Sequence, residues 1–197
     1  MTETKSRRRG AELERAILDA TWAELSEVGY TALTIEAVAK RAGTSKPVIY
    51  RRWPQRAALV VAAWASRKPI EPVVPDTGSL RADVLWLFTR IAMRMDSMMS
   101  EAIAGVMAEA FKHPEVQALL RNRMDSAPVT DAMRKIVDNA VTRGELKPLR
   151  LPQRVTVLPA HLVRAEAILV RTPISEETLA SLVDDVYLPL LKGLAID

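Results

Sequence analysis

The 197-residue chain predicts an all-α fold: an N-terminal three-helix unit built around a helix–turn–helix, then a larger helical domain, with about nine helices in all. Three observations carry this. Apolar residues recur at three- and four-residue spacing over most of the chain, and no stretch alternates as a strand does. Gly29, Gly43 and Gly144 stand where such stretches end, as helix stops do. The composition, 49% hydrophobic and 26% charged, is that of a chain with a buried core and excludes wholesale disorder.

Residues 1–10 (MTETKSRRRG) lack apolar periodicity and read as a flexible basic arm. From Ala11 to Val28, Leu13, Ile17 and Ala20 share one helical line, with Leu18, Trp22 and Leu25 beside it. A short helix follows from Thr34, whose hydroxyl can cap it, with Glu36 favoured in its first turn and Ile35, Val38 and Ala39 as its inner face. A third begins at Thr44 or Ser45 and runs through Tyr50, with Pro47 in its first turn, where a missing N–H costs little. Gln55 to Ser66 is a fourth. Three prolines at 69, 72 and 75 mark a stiff junction, so the boundaries fall at 11–66, 67–77 and 78–197. Beyond it, residues 79–97 are apolar almost all round and predict a central helix. Residues 100–112, 114–143, 152–170 and 176–192 complete the list, with Pro128 bending or splitting the longest, and Pro159 and Pro189 as kinks.

Charge divides unevenly. Residues 1–56 hold 11 Lys/Arg against 7 Asp/Glu, and residues 57–197 hold 17 of each, so the net +4 lies entirely in the first segment. Residues 40–56 carry six basic side chains and no acidic one, which points to a polyanionic partner. With no cysteine, disulfide frameworks, zinc fingers, iron–sulfur sites and thiol catalysis are excluded, and no Gly-rich loop for phosphate is present. No apolar run is long enough to span a bilayer and the charged start lacks a signal sequence, so a soluble, cytoplasmic protein without a membrane partner is expected.

Residues 34–53, TIEAVAKRAGTSKPVIYRRW, form the helix–turn–helix. Helices this short hold shape only by packing their apolar faces on helix 1. That packing leaves Thr44, Ser45 and Lys46, at the start of the third helix, facing outward, where they suit phosphate and base-edge contact in a major groove.

The segment ILDATWAELSEVGYTALTIEAVAKRAGTSKPVIYRRWPQRAAL (17–59) resembles the DNA-binding domain of the tetracycline-repressor (TetR) family. The matching positions are Ile17, Ala20, Gly29, Thr34, Ile35, Ala39, Gly43, Ser45, Tyr50, Trp53, Arg56 and Leu59. The resemblance implies a DNA-binding reader joined to a helical ligand-binding and dimerisation domain, with double-stranded operator DNA and a second copy of the chain as partners. It places base and phosphate contacts at Thr44, Ser45, Lys46 and Val48, and a phosphate contact at Tyr50. Arg56 occupies a position usually held by lysine and facing phosphate. Thr34, Pro47, Arg51 and Arg52 complete the candidate DNA surface, Arg51 and Arg52 reading equally as backbone contacts or solvated charges. Pro47 stands where a small residue is usual and Val48 where threonine is common; valine offers a base only its methyls.

One helix–turn–helix covers a single half-site, so a two-fold dimer is expected. The resemblance assigns its interface to the last two helices, here Leu162, Leu169, Leu179, Val183, Val186, Tyr187 and Leu190, the alternative being burial within one subunit. It also implies an effector pocket among the middle helices. The Met and aromatic residues of that region (Trp64, Trp86, Met93, Met107, Phe111, Met124), with His161, are the candidates for an apolar small molecule, or simply core. Glu109 and His113 could share a helix face, but two ligands are too few for a metal site, and no cofactor is expected. The function expected is a sequence-specific transcriptional regulator, most simply a repressor released by a small molecule. Non-specific or architectural DNA binding is the nearest alternative, and a helical enzyme a remoter one, since no nucleophile–base pair or metal motif is present.

Overall fold

The computed structural model describes residues 3–67, 74–95, 97–124, 127–170 and 173–195, with the side chains of 10–67, 74–95, 100–122, 128–170 and 173–195. Every regular element among them is helical; counting 176–194 as one, there are ten. The chain forms two compact units, residues 1–68 with 101–123, and residues 69–100 with 124–197. Residues 101–123, which the sequence grouped with the C-terminal domain, belong to the first unit, and no proline or glycine signal announces it.

In the first unit, α1 (Glu3–Ala32) extends to the third residue, so the basic arm is helical and not irregular. Lys and Arg are good helix formers, and adding residues to an existing helix costs far less than starting one. The regular helix breaks at Gly29, at φ 74°, a conformation that disfavours a side chain. Thr34 then caps α2 (Ile35–Arg41), accepting the Ala37 N–H at 3.1 Å. Gly43, at φ 63°, turns the chain into α3 (Lys46–Tyr50). The next helix, α4 (Arg56–Ser66), packs along α1. The core joins Ile17, Leu18, Ala20 and Leu25 of α1 to Ile35, Val38 and Ala39 of α2, Ile49 of α3 and the apolar first turns of α4. The unit is completed by residues of α6 (Ser97–Ala110) and α7 (Pro114–Met124).

The second unit is arranged around α5 (Leu80–Ala92), the helix predicted to be central; it touches α8 (Ala127–Thr142), α9 (Gln153–Val170) and α10 (Glu176–Ser181). Residues 114–143 do split near Pro128, into α7 and α8. Val84, Leu87 and Phe88 pack with Met133, Ile136, Val163, Leu179, Val183 and Tyr187. The Phe88 and Tyr187 rings meet edge to face with centroids 5.6 Å apart, and the Tyr187 hydroxyl donates to the Val155 carbonyl at 2.8 Å. Burial raises the pKa of that phenol above its ordinary value. At Pro189 the sequence predicts a kink. The structure instead widens the turn before it, so that α10 passes through a π segment (Leu182–Tyr187) into α11 (Leu188–Leu194). Proline lacks the N–H of a helical bond and its ring crowds the carbonyl four residues back, so a wider turn relieves both.

At one corner of this unit Asp83, fully buried, accepts from the Thr77 N–H at 2.9 Å, the Thr77 hydroxyl at 2.7 Å and Arg143 at 3.2 Å. Arg143 also pairs with Asp76 and Glu145, and Glu145 accepts the Leu80 N–H at 2.8 Å. These bonds tie the start of α5 to the end of α8. Replacing Phe88 by alanine should cost about 3–5 kcal/mol of unfolding free energy, since a fully buried aromatic leaves a cavity its neighbours only partly fill; denaturant melts read it directly.

Candidate nucleic-acid interface

Ile49 orients α3. Its side chain is fully buried, and α3 is too short to be stable alone, so this anchor fixes which residues turn outward. Ser45, Lys46, Pro47, Tyr50, Arg51 and Arg52 are exposed; Thr44 and Val48 are half-buried, and Thr34 is exposed while capping α2. Tyr50 keeps 48% of its surface in solvent, so its ring is not core. Trp53 is half-buried at the end of the helix. The outward set is therefore a polar and basic surface carried by the helix–turn–helix of the first unit.

Several of its cations are held by carboxylates of the same unit. Lys46 pairs with Glu36 at 3.1 Å, and Arg52 with Glu14 at 3.0 Å while also donating to the Gly10 carbonyl. The Lys46 pair is exposed on both sides and of little energetic worth, so a polyanion can take over that cation cheaply. Arg56 is different. Its guanidinium donates to Glu109 at 2.8 Å and to the Leu33 carbonyl at 3.3 Å, and lies over the Tyr30 ring at 4.4 Å. The sequence placed it facing phosphate; the structure places it between α4, the turn before α2, and α6.

That placement rests on a face of α6 that sequence reasoning missed. Glu101, Gly105 and Glu109 stand four residues apart, on one line of the helix. Glu101 accepts the Thr31 N–H and hydroxyl at 3.3 Å, and its carboxylate oxygens lie where a Cβ on Gly29 would come within 2.9 Å. Glu109 accepts from the Tyr30 hydroxyl at 2.7 Å. Between them Gly105 lies flat against the Tyr30 ring, since a Cβ there would stand 2.1 Å from Cδ1. A glycine inside a helix costs about 1 kcal/mol relative to alanine, and this approach is what it permits. The signal was present as a Glu-x₃-Gly-x₃-Glu spacing, but nothing in the sequence named Tyr30 as its partner.

The electrostatics follow from this packing. Burial alone would push Glu109 up, but hydrogen bonds from Tyr30 and Arg56, the charge of Arg56 and the Ala57 N–H outweigh it and hold the carboxyl below its ordinary value. Burial first, and the adjacent carboxylate second, raise the Tyr30 phenol well above its ordinary range. The paired Glu109 and His113 do not form a metal-like couple: Glu109 is committed to Tyr30 and Arg56, and His113 Nδ1 stands 3.6 Å from Glu115. Among the described residues no group of three or more His, Asp or Glu could hold a metal ion.

The other expected sites need correction. Leu179, Val183 and Tyr187 are at most 3% exposed within a single chain, so they are core and cannot line a surface for a second copy; Val183 and Tyr187, within the π segment, belong to the core built on α5. Leu169 and Val186 are exposed, at 80% and 42%, and Leu162 and Leu190 are half-buried. Of the effector candidates, Met93 and Phe111 are exposed at 71% and 86%, which removes them from any core, and Met107 and His161 are also exposed. Trp64 is half-buried in α4, and Trp86 is half-buried against the second unit's core with Arg90 over its ring at 5.8 Å. The side chain of Met124 lies outside those described.

Gly105→Ala should separate α6 from Tyr30 and lower unfolding free energy by about 1–3 kcal/mol, despite alanine's better helix propensity. A denaturant melt in which the variant equals or exceeds the parent would show that the approach is not constrained.

Two family profiles match the chain. The one described as "Bacterial regulatory proteins, tetR family" covers residues 17–63, and the one described as "Tetracyclin repressor-like, C-terminal domain" covers residues 74–186. An uncharacterised HTH-type transcriptional regulator of Mycobacterium tuberculosis is 34% identical over 90% of this chain and 87% of its own length. The DNA-binding transcriptional repressor TetR of Mycobacteroides abscessus is 26% identical over 93% of this chain and 96% of its own. In fold, a TetR transcription regulator from Haloarcula marismortui superimposes with a TM-score of 0.66 at 17% identity, over 92% of this chain and 98% of that one. With the helix–turn–helix geometry and both profiles in agreement, the chain belongs to the TetR family of DNA-binding transcriptional regulators.

Proposed function

We propose that this regulator is a repressor that holds its operator as a two-fold dimer and is released by an apolar small molecule. The observation that carries the DNA contacts is the division of α3: Ile49 fully buried, and Ser45, Lys46, Pro47, Tyr50 and Arg51 exposed. Ser45 and Lys46 approach base edges and phosphates, Thr44 and Val48 add contacts at the groove wall, and Tyr50, Arg51 and Arg52 take backbone phosphates, with Thr34 nearby at the start of α2. A dimer sets two α3 helices one DNA turn apart, on the order of 34 Å. Its surface is carried by Leu169, Val186 and Leu190, the members of the apolar set not spent on the subunit's own core, with half-buried Leu162, which also packs on that core, at its edge.

The effector reading rests on Trp86 in the second unit, a half-buried aromatic surface of the kind apolar ligands cover. Ligand acts by binding one dimer spacing better than the other, and shifts the balance only by that difference in affinity. Repression, and not activation, is supported by the name of the Mycobacteroides abscessus relative, a transcriptional repressor.

Selecting bound fragments from random duplex DNA should return a near-palindromic sequence, preferred over scrambled competitor by about 10³ or more. On that duplex Lys46→Ala should weaken binding and flatten the salt dependence by about one counterion. No enriched sequence, with equal affinity for scrambled DNA, would instead indicate non-specific coating.

A further inference from the structure

Glu109 sits where an anion belongs. The N-cap of α4, Gln55, makes no side-chain capping bond. Beside that first turn the Glu109 carboxylate, from α6, accepts from Arg56 at 2.8 Å and the Tyr30 hydroxyl at 2.7 Å, and the Ala57 N–H adds to the donors that favour its charged form. A helix N-terminus, a guanidinium and a phenol donor converging on one oxyanion form the donor set that proteins offer a phosphate. The cradle is open to water: the Arg56 and Glu109 side chains keep 32% and 27% of their surface exposed. It also lies in the same compact unit as α3.

We propose that Glu109 is an internal competitor for DNA phosphate, occupying the Arg56–Ala57–Tyr30 cradle and withholding Arg56 from the duplex. This rests on the reading of the first unit as the DNA-contacting surface. The pair Arg56–Glu109 is electrically neutral, so an approaching phosphate meets no net attraction there until the carboxylate is displaced. Glu109 thus lowers affinity for every duplex alike, which suppresses non-specific binding in a chain whose net charge is only +4. Neighbouring Glu115 provides the contrast: it has the same charge on the adjoining helix, but accepts from the Gln55 side chain at 2.7 Å and makes no bond to Arg56.

The test is a salt titration of binding to a random-sequence duplex of about thirty base pairs, a length that holds two half-sites, and to the selected operator. Glu109→Gln, which keeps an acceptor for Tyr30 and Ala57 but removes the charge, should bind both duplexes at least about threefold more tightly, with a salt slope steeper by about one. Arg56→Ala placed in that background should abolish both gains. Glu115→Gln should leave the slope unchanged. Glu109→Ala, which removes the anion by truncation, gives a second route to the same result should the glutamine variant fold poorly, and thermal melts confirm the fold of each. Unchanged affinity and slope for both Glu109 variants overturn the proposal, as does an equal gain from Glu115→Gln or a gain that survives Arg56→Ala. If Lys46→Ala still flattens the slope in that case, the DNA-contact reading stands while the competitor falls. If the parent protein binds no duplex at low salt, both fall.

Discussion

The structure depends on the fact that a helix of five or seven residues cannot hold itself together in water. Those are the lengths of α3 and α2, the two helices of the helix–turn–helix. Their shape is borrowed from the apolar contacts of Ile35, Val38, Ala39 and Ile49, and from the helices those side chains touch. Because Ile49 is buried, the register of α3 is settled, and Ser45, Lys46 and Tyr50 are outside as a consequence. The exposed chemistry of the reader is the remainder left after its core has been satisfied.

A second layer of support lies outside the segment that carries the motif. Glu101, Gly105 and Glu109 of α6 grip the last turn of α1, beyond its break at Gly29, at Tyr30 and Thr31, and Glu109 reaches Arg56 in the first turn of α4. The same carboxylate serves packing and electrostatics: it closes an uncapped helix end and neutralises a cation that the reader would otherwise present. Lys46 is also paired, but at an exposed position where exchange for phosphate is cheap. The reader therefore offers a graded set of cations, from the readily available to the firmly held. The second unit uses its polar groups differently, spending Asp83, Arg143 and Glu145 on joining α5 to α8.

Local signals in the sequence were sufficient for the motif. Thr34 caps α2 as its hydroxyl predicts, Gly29 and Gly43 take the left-handed conformation, and Pro128 divides a long helix. Each depends on one residue and its near neighbours. What escaped was long-range. The partnership of Gly105 with Tyr30 spans 75 positions, and no periodicity encodes it. Arg56 matched a phosphate position by local pattern but found Glu109, 53 residues away, first. Leu179, Val183 and Tyr187 carried the apolar surplus expected of an interface, yet all three are buried in the subunit's own core; an apolar stripe alone does not say which core it joins. The basic arm lacked an apolar face, and α1 continues through it regardless.

Native-state hydrogen exchange on the full chain tests most directly whether the reader is held as one body by these contacts. The account predicts that the amides of α2, α3, the first turn of α4 and residues 101–110 become exchangeable in a single opening, with one free energy and one denaturant dependence. Residues 101–110 exchanging in an earlier, independent opening that leaves α2 and α3 fully protected would contradict it.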